Sequence, residues 1–137
     1  MTNDPLDMGP LERALHRLQE GWDRYRQDVS DLQIRDGLIR RFEFTYEISH
    51  KMLKRYLESI SADPRQYDGM PFQDLIRSGN EHGLLRGDWG DWKRYRHMRA
   101  QTSHAYDEPS AQKVVAEIPR FLEEIRFLCD QLRSRLS

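Results

Sequence analysis

Long apolar runs, thiols and lysines are all scarce in this chain of 137 residues. Nothing approaches the roughly 20 consecutive apolar residues that a membrane span needs. Only one cysteine is present, Cys129, which excludes an internal disulfide framework and a multi-thiolate zinc site. It sits among the leucines of the last helical segment and reads as a buried structural thiol. The N-terminal Met1–Pro5 stretch shows no basic region followed by an apolar one, so no signal peptide is expected, and the cytoplasm is the expected compartment. Net charge is −1, so a preference for nucleic acid would have to be local. Only four of the 22 basic residues are lysine, and arginine supplies a planar fork suited to phosphate and carboxylate.

Several kinds of chemistry lack their signatures. There is no Gly-Lys-Ser/Thr phosphate loop, no Gly-x-Gly-x-x-Gly and no His-Glu-x-x-His. A di-metal bundle needs paired Glu-x-x-His motifs, and Glu47-Ile48-Ser49-His50 stands alone. Neither a metal nor a cofactor is therefore expected. Nucleotidyl transfer is absent too, since no Gly-Ser is followed by a spaced Asp-x-Asp.

What is present is helical periodicity. Leu11, Leu15, Leu18, Trp22, Tyr25 and Val29 form one stripe, with Pro10 suited to the first turn. Ile34, Leu38, Phe42, Thr45, Ser49, Met52, Leu53, Tyr56 and Ile60 form a second, in which Thr45 and Ser49 admit a close neighbour. Gly37 weakens that helix by about 1 kcal/mol relative to alanine, so a local reason for it is expected. Residues 61–70 read as a loop on Asp63-Pro64 and Asp68-Gly69. A short helix carries Phe72, Leu75 and Ile76 and ends at Gly79 or Gly83. Another loop spans 83–90, and a fourth helix carries Trp92, Tyr95 and Met98. The last segment shows Val114, Ile118, Phe121, Ile125, Leu128, Leu132 and Leu136, with a kink or break expected near 118 from Pro119. The expected fold is a single all-α domain over 1–137, an antiparallel bundle of about five helices, with residues 1–9 flexible.

The remaining chemistry lies between Arg86 and Tyr106. Five basic residues (Arg86, Lys93, Arg94, Arg96, Arg99) face two acids (Asp88, Asp91), a local +3 in a chain of −1. Aromatic residues are interleaved, which suits a polyanion with stackable bases, and Lys93, Arg96 and His97 are the expected RNA contacts. The plainer alternative is a solvated helix face with Trp92 and Tyr95 in the core. Arg99 and His104 lie five residues apart, roughly 140° around a continuous helix. They converge only if the helix ends near Gln101–Ser103, and Ser103, Asp107 and Pro109 favour that ending, with Asp107 as the next N-cap. Such a pair suits metal-free cleavage of RNA. Histidine moves a proton near neutral pH, arginine stabilises the phosphorane, and the 2′-hydroxyl attacks to leave a cyclic phosphate. Spacing alone says little, because chance gives roughly 0.7 Arg-x4-His matches here. A second match does exist at Arg77 and His82. Tyr106, two residues past His104, separates the two.

Arg99-x4-His104-x-Tyr106 resembles the motif of HEPN-domain proteins, the helical partners of minimal nucleotidyltransferases in bacterial toxin–antitoxin operons. Arg41-Phe-Glu-Phe-Thr-Tyr-Glu-Ile-Ser-His-Lys-Met-Leu-Lys-Arg-Tyr56 is similar to that family's second-helix block, and Thr102–Asp107 to its Ser-His-x-Tyr-Asp run. Helix order and length agree over nearly the whole chain. The resemblance implies a homodimer that cuts RNA without metal at an interface cleft, neutralised by a nucleotidyltransferase antitoxin that adds AMP to the motif tyrosine. Carried over, Arg99 holds phosphate, His104 is the acid/base and Tyr106 is the acceptor. Two positions depart from the family. Ala100 replaces the polar residue usual after the motif arginine, and His50 stands where relatives often have tryptophan. Two other classes compete with a ribonuclease: a non-catalytic subunit presenting substrate to the transferase, and a plain helical dimerisation module.

Overall fold

The computed structural model describes residues 6–136, and among them every regular element is helical. Five α-helices occur in order: α1 (Gly9–Gln27), α2 (Leu32–Ile60), α3 (Phe72–Glu81), α4 (Trp89–Gln101) and α5 (Glu108–Leu136). They form the expected antiparallel bundle. Of the N-terminal segment expected to be flexible, residues 1–5 lie outside the described range, while Leu6 and Met8 pack against the core.

Local chemistry sets the helix limits. Pro10 occupies the first turn of α1, where its missing N–H breaks no bond. Asp31 caps α2 by accepting from the N–H groups of Gln33 at 3.0 Å and Ile34 at 3.1 Å, an arrangement worth about 1 kcal/mol. The end of α3 is a Schellman turn. Leu84 N–H reaches the Gly79 carbonyl at 2.9 Å, Gly83 N–H reaches that of Asn80 at 3.0 Å, and Gly83 takes φ +70°.

Helices α1 and α2 approach closely, as the small residues of α2 predict. The Thr45 hydroxyl lies 3.3 Å from the Ala14 carbonyl of α1 and 2.7 Å from that of Arg41 in its own helix. The centre of the bundle is aromatic. Phe121 of α5 meets Phe42 of α2 edge-on at 4.9 Å and Tyr95 of α4 at 5.2 Å, and Trp92 meets Tyr95 at 5.3 Å. Each such pair adds about 0.5–1.5 kcal/mol beyond the area it buries. This cluster positions α4 against α2 and α5, with one polar flank of α4 turned toward each.

Three expectations need correcting. Val29 lies past the end of α1 and is 63% exposed, because the helix stops at Gln27 and the chain turns toward the Asp31 cap. Ile60 likewise sits at the exposed end of α2. Helix α5 runs unbroken through Pro119. Pro119 faces solvent, so water can satisfy the carbonyl that it leaves unpaired, while buried Ile118, Phe121, Leu122 and Ile125 hold the helix on both sides. Cys129 is buried, and burial pushes its thiol up to about 12. No helix among the described residues is long and apolar enough to cross a membrane.

Candidate active site at the end of helix α4

Helix α4 starts from a tightly held loop. The Asp88 carboxylate accepts from the Asp91 N–H. Upstream, the buried carboxylate of Glu124 on α5 accepts the N–H groups of Arg86 at 2.8 Å and Gly87 at 2.7 Å. Trp92, Tyr95 and Met98 then line the buried side. The helix ends at Gln101, where the exit was expected, and Thr102–His104 make one tight 3₁₀ turn. Asp107 follows at the cap position of α5. Its carbonyl accepts from Ala111 N–H at 3.0 Å, and its carboxylate accepts the Ser110 hydroxyl at 3.0 Å.

Arg99 is directed at α2. Its Nε donates to Glu47 at 3.2 Å, its Nη1 donates to the Thr102 hydroxyl at 3.0 Å, and Nη1 lies 3.9 Å from the Glu43 carboxylate. Thr102 in turn donates to the Arg99 carbonyl at 2.7 Å. One edge of the guanidinium is therefore held, while Nη2 makes no hydrogen bond to any described residue and the side chain is about one-third exposed. Glu47 also meets His50 at 3.4 Å, and burial pulls His50 below its usual range. Tyr46 and Phe72 flank His50, and burial raises the Tyr46 hydroxyl to about 12.

Glu43 and Glu47 were not singled out as partners of Arg99 from the sequence. The available signal was two glutamates four apart on α2, one helical turn, but nothing local says which cation they face.

His104 and Tyr106 are both exposed, Tyr106 at 88%, with their rings edge-to-face at 6.3 Å. No hydrogen bond joins His104 to Arg99 among the described residues. The two share the end of α4, yet Arg99 turns toward α2 while His104 stands in the turn. The competing Arg77–His82 pair is occupied differently. Arg77 pairs with Asp74 at 3.8 Å, and the His82 ring meets the Ser78 carbonyl at 2.8 Å at the end of α3.

The three expected RNA contacts occupy two flanks of α4. Lys93 and His97 border an apolar groove against α5, about 510 Å³, floored by Met98 and Val114. Arg96 lies on the other flank, over the Phe72 ring at 5.7 Å. The local +3 is also reduced in space, because Arg86 pairs with Glu123, Arg94 with Glu117, and Arg99 with Glu47.

The family model for nucleotidyltransferase substrate binding protein like sequences matches residues 6–134. The chain belongs to that family. It is 37% identical over 143 positions to a Haemophilus influenzae protein named probable ribonuclease HepT, a match spanning 98% of this chain and 97% of that one. A solved Haemophilus influenzae structure, described as revealing the fold of a substrate binding domain of a nucleotidyltransferase, superposes with a TM-score of 0.86 at 34% identity. That match covers 93% of this chain and 99% of the other. A Thermus thermophilus crystal structure of 28% identity gives a TM-score of 0.67 over 90% of this chain and 98% of its own. Family membership and helical fold thus agree with the resemblance read from the two motif blocks.

Proposed function

We propose that this chain is the ribonuclease toxin of a HEPN-type pair, cutting RNA without a metal and silenced by a nucleotidyltransferase antitoxin. The observation that carries this reading is the end of α4. There, Arg99 is gripped along one edge with Nη2 left over, beside a turn that exposes His104 and Tyr106 together. The likeness to a relative named as a ribonuclease supports it.

Arg99 holds the scissile phosphate through its unheld edge, and Glu47 and Thr102 fix the plane of the fork. His104 takes the proton of the 2′-hydroxyl as its oxygen attacks phosphorus. The bond to the 5′-oxygen breaks, and that oxygen leaves as a hydroxyl after protonation. A cyclic 2′,3′-phosphate remains. No hydrogen bond joins Arg99 to His104 among the described residues, and in this reading the working cleft is formed by two copies, whose two histidines serve as base and acid across the two-fold axis. Lys93, Arg96 and His97 contact the strand on either flank of α4. The antitoxin transfers AMP from ATP to the Tyr106 hydroxyl with loss of pyrophosphate. A charged nucleotide is thereby placed beside His104, where RNA would enter.

A second reading, a non-catalytic subunit that binds substrate for the transferase, is favoured by the description of the Haemophilus influenzae structure and by Ala100 after the motif arginine. One experiment separates them. RNA is incubated with the purified chain in EDTA, alongside His104→Ala, Arg99→Ala, His82→Ala and Arg77→Ala. The ribonuclease reading expects cyclic-phosphate ends, inert DNA, and a loss of about 10²–10⁴-fold in the first two variants only. Cleavage that survives His104→Ala, or that requires added metal, refutes it. No cleavage by the intact chain favours the binding subunit.

A further inference from the structure

The face shared by α1 and α2 carries a set of cations that the proposed site does not use. Arg13 and Arg17 on α1 and Arg41 on α2 line a groove of about 340 Å³, and Arg40 of α2 joins them through Phe44, which lines the same groove. None of the four forms an ion pair among the described residues, whereas Arg86, Arg94 and Arg99 around α4 are each paired with a glutamate. Nearby acids are committed elsewhere. Glu43 and Glu47 turn to Arg99, Asp7 accepts the Gly9 N–H, and Asp36 lies beside Arg35. Phe44 stands in the middle of this face, 54% exposed, with the Arg40 guanidinium over its ring at 5.1 Å.

Gly37 lies one turn before Arg40 and Arg41 on the same face. A Cβ there would meet nothing within 4 Å. Its cost to the helix therefore has no steric reason inside the chain, and the bare backbone leaves room for something to approach.

We propose that this face binds single-stranded RNA, with Phe44 stacking one base and Arg13, Arg17 and Arg40 holding adjacent phosphates. The charge selects the occupant. A second copy would bring the same four arginines against these four around a single exposed aromatic, which is unlike the apolar centre of a stable dimer. A polyanion with flat bases matches an open aromatic ringed by unpaired guanidinium groups. The placement fits the proposed cleavage site, on which this inference rests for its choice of RNA. Glu47, which grips Arg99, lies one turn from Phe44 on α2, so a strand seated at Arg99 passes directly onto this face.

The test uses a fluorescent 2′-O-methyl oligouridylate, which binds but lacks the attacking hydroxyl, and reads anisotropy across a salt series. The Arg13→Gln/Arg17→Gln/Arg40→Gln variant should lower affinity at least about tenfold and reduce the log–log salt slope by about 2, at roughly 0.7 per phosphate contact. Phe44→Ala should lower affinity about 5- to 100-fold with the slope unchanged, and Phe44→Trp should restore it. Wild-type affinity in both variants overturns the proposal, as does no binding by the intact chain at low salt. A loss confined to Lys93→Gln/His97→Gln overturns it in favour of the α4–α5 groove. A triple variant that binds RNA normally but loses the transferase, or changes its sedimentation, overturns it in favour of a protein interface. Because the probe cannot be cleaved, the two readings fail separately. Normal cleavage with unaltered variant binding removes only the α1–α2 surface, and intact binding without any cleavage of ordinary RNA removes only the nuclease.

Discussion

Replacing Glu124 should loosen the chain's hold on the start of α4. Glu124 is only 2% exposed, and it accepts the N–H groups of Arg86 and Gly87. Alanine would leave both donors without their carboxylate partner. An unpaired buried donor costs about 1–3 kcal/mol. Part of that is offset because a carboxylate is no longer held out of water, so a net loss of about 2–4 kcal/mol is expected. At roughly 3 °C per kcal/mol for a chain of this size, Tm should fall by about 6–12 °C. Gly87 supplies the cross-check. A Cβ on it would stand 2.6 Å from Glu124 Oε1, 2.7 Å from Asp91 Oδ2 and 2.8 Å from Asp91 Cβ, so Gly87→Ala must displace the Glu124 carboxylate and the whole Asp91 side chain. It should cost about 1–3 kcal/mol, as overpacking does. Combining Gly87→Ala with Glu124→Ala removes one of the two clashes. The double variant should then be more stable than the sum of the singles by about 1 kcal/mol, the Asp91 contact persisting. Urea denaturation of the four proteins measures this cycle. Singles that add within about 0.3 kcal/mol, or a Glu124→Ala midpoint within about 2 °C of the parent, would refute the anchoring role.

Burial lifts the Glu124 carboxyl above its ordinary 4.5, and Asp91 adds to the shift against the pull of the two N–H groups. The folded chain therefore keeps this proton longer than the unfolded one, and its contribution to stability is largest below that window and declines as pH rises through it. Relative to Glu124→Gln, the parent should lose stability as pH rises above the ordinary carboxyl value of 4.5, and a difference that stays constant with pH would contradict this. Tyr106→Phe should retain most RNA cleavage yet resist silencing when the transferase and ATP are added, because only the acceptor hydroxyl is gone. Silencing that proceeds unchanged would place the modification elsewhere. Sedimentation at micromolar concentration should show a dimer, and a monomer alone would remove the two-copy cleft.

Much of this protein is written in its periodicity. Leu11 to Tyr25, Ile34 to Tyr56 and Val114 to Leu132 are legible as helices because one apolar stripe per helix is a local property of the chain. The exit of α4 near Gln101 was legible for the same reason, from Ser103, Asp107 and Pro109. The continuation of α5 through Pro119 was not, since the proline's lost bond is tolerated only because it faces solvent while its neighbours are packed. Charge was the larger gap. Counting along the sequence puts an excess of +3 on residues 86–106, but the glutamates that neutralise Arg86, Arg94 and Arg99 come from α2 and α5, tens of positions away. Arg13, Arg17 and Arg41 belong to two helices and line one groove only after α1 folds against α2, and none of them forms an ion pair among the described residues. A sequence by itself determines which residues lie on one face of one helix. Which charges then meet, cancel or accumulate across helices depends on distances that only packing sets.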